Sequence, residues 1–205
     1  MLYSCSHETK ELMPYVDLAF RLAGAKVPVD HGYALYSAIS RIVPEIHEAR
    51  NIGLHPIRGT YSGNGELMLR DSSRLVMRME SEQIGQFLKL AGKKLEIDGY
   101  SLRVGIPEVR LLRPRAALYS RLVTIKGFMD PAVFVEAAKR QVEKIGVYAE
   151  LQVGERRTFR IKDKQVVGFE VAATDLDAQD SIRLQEAGLG GRRHMGCGVF
   201  VPWRR

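Results

Sequence analysis

The chain has 205 residues, 45% of them hydrophobic and 27% charged, with 31 lysines and arginines against 24 acids. This length can bury one large core or two small ones, and the formal charge of +7 favours a polyanionic partner. The two cysteines, Cys5 and Cys197, are far apart and lack metal-ligand spacing, which excludes a disulfide framework or a zinc cluster. The sequence has no long apolar span and no secretory pattern, so it reads as cytoplasmic, without a membrane partner.

Tyr15 to Leu22 alternates apolar and polar residues as a half-buried strand does. Asp30 is placed to cap a helix whose Leu35, Ala38, Ile39 and Ile42 form one stripe, leaving Tyr33, Tyr36, Ser37 and Ser40 on the other side. Residues 46–65 look like loop. Arg74 to Met79 is a strand candidate. Ile84, Phe87, Leu88 and Ala91 have helical spacing up to Gly92, and Lys94 to Leu112 reads as extended segments turned at Asp98-Gly99. Arg113-Pro114-Arg115 then interrupts regular structure.

The second half repeats the order. Leu118 to Lys126 reads as a strand, and Asp130-Pro131 opens a helix with Phe134, Ala137, Ala138, Val142 and Ile145 on one side. Thr158 to Lys162 and Val166 to Ala173 form a hairpin, Asp177 to Ala187 a short helix, and Val199 to Val201 a last strand. Two copies of a β-α-β-β-α-β order predict an α+β protein of tandem ferredoxin-like domains, residues 1–113 and 114–205.

Between the last helix and strand lies Gly188-Leu189-Gly190-Gly191-Arg192-Arg193-His194-Met195-Gly196-Cys197-Gly198. Glycines admit close backbone approach and arginines supply planar donors that suit phosphate. A dinucleotide loop follows a strand and opens a helix, whereas here the helix comes first, so no nucleotide cofactor is expected. The choice lies between a glycine-rich helix cap and a loop that holds a phosphodiester backbone, and the second fits the charge. Arg156, Arg157, Arg160, Lys162 and Lys164 add a basic hairpin. It serves either to grip RNA or as the charged edge of a sheet.

The segment GLGGRRHMGCGVFVP resembles the C-terminal glycine-rich loop of CRISPR repeat-processing endoribonucleases of the repeat-associated mysterious protein superfamily, with the myxan subtype the nearest pattern. The resemblance extends from Val16 to Pro202 and implies two ferredoxin-like domains around a cleft. It also implies a CRISPR repeat RNA as partner and cleavage that leaves a 2′,3′-cyclic phosphate and a 5′-hydroxyl. The alternative is a non-catalytic subunit that binds guide RNA beside other subunits of a CRISPR effector complex.

RNA carries its own nucleophile, so a protein needs a base, an acid and donors for the phosphate, and no metal. Five histidines are candidates. His55 ranks first: it lies in the glycine-flanked segment GLHPIRG, which resembles the family's leucine-histidine segment, with Arg58 placed to hold the phosphate. His31 is the rival, at the start of a helix whose dipole would keep it neutral. Tyr36 and Ser40 lie near positions where family members carry a catalytic histidine or tyrosine, and the second catalytic group is left open. His47 reads as a surface residue, His7 has no functional case, and His194 reads as an RNA contact with Gly188, Gly190, Gly191, Arg192, Arg193, Gly196 and Gly198.

Overall fold

The computed structural model describes residues 14–49 and 51–203, so Cys5 and His7 lie outside it. The first half runs β1 (Tyr15–Ala23), β2 (Lys26–Pro28), α1 (Gly32–Ser40), β3 (Gly53–Leu54), β4 (Thr60–Gly63), β5 (Glu66–Met68), β6 (Arg74–Glu80), α2 (Ile84–Phe87), β7 (Lys94–Ile97) and β8 (Tyr100–Leu111). The second runs β9 (Leu118–Val123), α3 (Pro131–Lys144), β10 (Glu150–Ile161), β11 (Lys164–Thr174), α4 (Ala178–Ala187) and β12 (Val201–Pro202). The result is a mixed α+β fold of antiparallel sheets.

β1 sits centrally because Val16, Leu18, Ala19 and Phe20 are all buried between two partners, β6 and β8. The five-stranded sheet has the order β3-β6-β1-β8-β7, and the four-stranded sheet the order β10-β11-β9-β12. In the first half β1 lies between β6 and β8, and in the second β9 lies between β11 and the two-residue β12. α1 packs Ala34, Leu35, Ala38 and Ile39 inward. α3 packs Phe134, Ala137, Ala138 and Val142, and Asp130 caps it by accepting N–H groups of Ala132 and Val133. Two apolar cores result, one drawn from residues 18–104 and one from 118–200.

Several local expectations change. β2, β5 and β4 form a small sheet, of which β4 lies within residues 46–65 that read as loop. Their three or four residues are mostly exposed or half-buried and carry no apolar period to read. The helix expected over 81–91 is a single α-turn flanked by 3-10 turns. Phe87 and Leu90, three apart, are buried, and Leu88 is exposed, because 3-10 geometry puts i and i+3 on one side. The α1 N-cap is His31, not Asp30. Asp30 instead accepts the Arg160 N–H at 2.8 Å, tying β10 to the first half. The linker after β8 is pinned to α4: Gln185 donates to the Arg113 carbonyl and Ser181 accepts the Arg115 N–H.

Candidate active site and nucleic-acid interface

The glycine loop folds back on its own protein. The N–H of Leu189 donates to the Gly198 carbonyl, that of Gly191 to Thr124 and that of Gly198 to Leu122, while that of Gly190 donates to the Gln141 side chain. Positive φ at Gly188, Gly190, Gly196 and Gly198 makes this path possible. A Cβ at Gly198 would collide with the Leu189 carbonyl, and one at Gly190 with that of Thr124. The glycines therefore serve the loop's own packing first. Gly191 is the exception: it is exposed, with open space around it.

The two loop arginines part company. Arg192 takes a left-handed conformation, φ 62°, before the 3-10 turn Arg193–Met195. Arg193 points inward: its Nε and Nη2 are buried without hydrogen-bond partners, and burial pushes its pKa down to about 10. It lies against Gly53 and Gly188. The same loop touches α1 so closely that a Cβ on Gly32 would strike the Met195 carbonyl.

His55 follows β3, and its N–H donates to the Val76 carbonyl at 2.9 Å, extending the sheet edge by one residue. Its side chain is 12% exposed, and Nε2 lies 3.5 Å from Asp17 Oδ1 on β1. Burial chiefly depresses the imidazole pKa, Asp17 raises it, and Arg78 and Arg58 lower it, with the net shift downward. The ring is thus held neutral near pH 7. Asp17 also accepts Arg78 Nε at 2.8 Å and Nη2 at 3.0 Å. Burial opposes its ionisation, but His55 and Arg78 together hold the carboxyl well below the usual range.

These groups wall a cavity of 1080 Å³ between the halves, lined by Arg58, Arg70, Arg74, Arg110, Arg113 and Arg115 besides Arg78. Asp17 is the one carboxylate in that lining. A second cavity of 460 Å³ shares His55, Pro56 and Arg58 and adds Tyr119, Arg121 and Gly196. His55 and Arg58 therefore stand where the cleft meets the glycine loop.

His31 is buried at 1% exposure. Its Nδ1–H donates to the Pro28 carbonyl at 2.7 Å, and its Nε2 accepts the Ile57 N–H at 2.9 Å. Both ring nitrogens are occupied by backbone, and burial lowers its pKa. Ser40 donates to the Ser37 carbonyl. Tyr36 lies 2.6 Å by its hydroxyl from His47 Nδ1, and its ring centroid is 4.6 Å from that of His194. Tyr36, His47 and His194 thus form one cluster, although His47 alone reads as a solvated residue.

On the hairpin, Arg156, Arg160 and Lys162 are exposed, whereas Arg157 is half-buried and paired with Glu170 and Glu155. Asp17, Arg78 and His47 are the residues that sequence reasoning passes over. Asp17 and Arg78 meet across 61 residues and His47 meets Tyr36 across 11, so no local pattern marks them.

A family model described as Cas6 Crispr matches residues 16–205. The chain belongs to the Cas6 family. It is 46% identical over 191 residues to the CRISPR-associated endonuclease Cas6 of Myxococcus xanthus (strain DK1622), covering 93% of this chain and 83% of that protein. A solved structure named CRISPR associated protein Cas6 superposes with a TM-score of 0.66 at 15% identity, over 93% of this chain and 99% of that one. Thermus thermophilus Cse3, solved bound to an RNA representing a pre-cleavage complex, superposes with a TM-score of 0.54 at 14% identity, over 92% and 98%. The Cas6 fold therefore holds across very different sequences, and the mixed sheets described above are its frame. No helix among the described residues is long and apolar enough to cross a membrane.

Proposed function

We propose that this Cas6-family chain is an endoribonuclease that cleaves CRISPR repeat RNA into guide RNAs, with His55 as its proton-transfer group. The observation that carries this is a nearly buried imidazole, its pKa pushed down by burial, at the rim of a cleft lined by seven arginines and one carboxylate. A neutral imidazole can take the proton of the 2′-hydroxyl. The 2′-oxygen then bonds to phosphorus as the bond to the 5′-oxygen breaks, and the departing 5′-oxygen takes up a proton from solvent, leaving a 2′,3′-cyclic phosphate and a 5′-hydroxyl. Arg58, exposed beside His55 in both cavities, stabilises the charge that develops on the phosphate. No step in this chemistry needs a metal. His31 holds the catalytic loop rather than transferring a proton, because both its nitrogens are engaged.

The shared strand order of the two sheets supports tandem ferredoxin-like domains, with the division near Arg113 between the two cores. RNA would run through the cleft and against the exposed hairpin residues Arg156, Arg160 and Lys162 of a cytoplasmic protein. Single-turnover cleavage of repeat RNA in EDTA tests the reading. Wild type should cut, a substrate with a 2′-deoxy nucleotide before the scissile phosphate should stay intact, and His55→Ala should lose roughly 100- to 10,000-fold in rate while still binding. Cleavage of the deoxy substrate would exclude 2′-hydroxyl attack, and full activity of His55→Ala would exclude the assigned base.

One observation favours a second location for the chemistry. Tyr36, His47 and His194 bring three proton-carrying groups together where α1 meets the glycine loop. If His47→Ala is inactive and His55→Ala is not, the chemistry belongs there. Binding without cleavage in any condition would favour a guide-RNA-binding subunit of an effector complex.

A further inference from the structure

Arg78 is a fully buried arginine that joins three parts of the chain. From the middle of β6 its Nε and Nη2 grip both oxygens of Asp17. Its Nη1 donates to two carbonyls of the second half, Phe200 at 2.7 Å and Gln185 at 3.2 Å. A guanidinium is suited to this because its donors lie in one rigid fork. Removing Asp17 or either carbonyl would strand part of a buried charge.

Asp17 in turn faces His55. The His55 Nε2 is buried, makes no hydrogen bond and lies 3.5 Å from Asp17 Oδ1. That distance is slightly beyond a hydrogen bond, and a small ring rotation closes it. Hydrogen bonds at catalytic groups are often long until substrate is bound. A polar ring atom sealed from water beside a carboxylate has one available partner, and an N–H there would be stabilised by the carboxylate.

We propose that Asp17 is the positioning residue for His55, holding a proton on Nε2 so that Nδ1 carries the free lone pair, and that Arg78 fixes Asp17 to the seam between the two halves. This rests on the reading of His55 as the proton-transfer group. Asp17 orients the ring and steadies the imidazolium that forms when Nδ1 takes a proton, without itself becoming protonated. Arg78 restrains the carboxylate from rotating away and makes its position depend on the docking of Phe200 and Gln185. The charged groups facing the ring are Asp17 on β1, Arg78 on β6 and Arg58 on its own loop.

The tautomer can be read in the wild-type protein by long-range 1H–15N NMR of the His55 ring above its pKa. The proposal expects the Nε2–H form, and an Nδ1–H form overturns it. Asp17→Asn supplies the second readout, on protein whose circular dichroism matches wild type. Loss of the carboxylate should lower the His55 pKa and move the acid limb of the rate profile to lower pH. The plateau cleavage rate should fall at least 10-fold, with repeat-RNA affinity changed less than twofold, and Asp17→Glu should recover part of the rate. Unchanged His55 titration and an unchanged rate in Asp17→Asn overturn the proposal while leaving the His55 assignment intact. Full activity of His55→Ala fails the underlying reading instead, and the NMR result then still decides whether Asp17 sets the ring. If Asp17→Asn does not fold, the wild-type tautomer alone decides.

Discussion

The Nε2 of His31 accepts the backbone N–H of Ile57 at 2.9 Å, across 26 residues of sequence. His31 thereby fixes the segment two residues beyond His55. Both ring nitrogens of His31 are bonded to backbone, which supports a strut in place of the candidate base.

His31→Ala should therefore act on stability first. It leaves the buried Ile57 N–H without an acceptor, which costs about 1–3 kcal/mol. Urea unfolding should report that loss, and a midpoint equal to wild type would refute the strut.

Acid should destabilise the fold through the same histidines. His31 and His55 have folded pKa values below their ordinary value, both chiefly from burial. The unfolded chain then binds more protons than the native one as pH falls below about 6.5. Their stabilising contribution is complete above that pH and is lost progressively towards the lower folded values. Thermal melts at pH 7.5 and 5.5 should show a drop, and His31→Gln should show a smaller one.

The loop arginines should separate in function. Arg193 is turned inward, so Arg193→Ala should change the melting temperature and leave the salt dependence of RNA binding unaltered. Arg192→Ala should leave stability alone and reduce the salt slope by about 0.7–0.9, the contribution of one phosphate. Filter-binding titrations from low to high salt measure both, and equal slopes for the two variants would contradict this division.

Among the glycines, Gly191 is the clean probe of RNA contact. Gly191→Val meets open space and should fold normally while weakening RNA binding. Gly198→Val combines a left-handed φ of 65° with a backbone clash and should lose about 2–6 kcal/mol of stability. Normal binding by Gly191→Val would make the loop a structural cap.

The basic hairpin should contribute charge from its exposed residues. Arg156, Arg160 and Lys162 carry no ion pair among the described residues. Their joint replacement by alanine should lower the salt slope by about 2–3, at 0.7–0.9 per phosphate. Arg157→Ala should lower it less, because Glu155 and Glu170 already neutralise that guanidinium.

The sequence by itself determined what short periods encode. β1, the Asp130-capped helix α3, the turn at Asp98-Gly99 and the basic hairpin follow from alternation, caps and turn residues that act within a few positions. His55 and Arg58 stand out in the sequence for the same reason, as a histidine and an arginine in one glycine-bounded loop. Only the tertiary structure decided the surroundings of those residues. Asp17 meets Arg78 across 61 residues, and Arg78 meets Gln185 and Phe200 across 107 and 122. It also turned Arg193 inward beside an exposed Gly191, and joined Tyr36 to His47 and His194. Hydrogen bonds and ring contacts depend on where strands and loops dock, and docking is settled by two cores whose residues lie far apart in the chain.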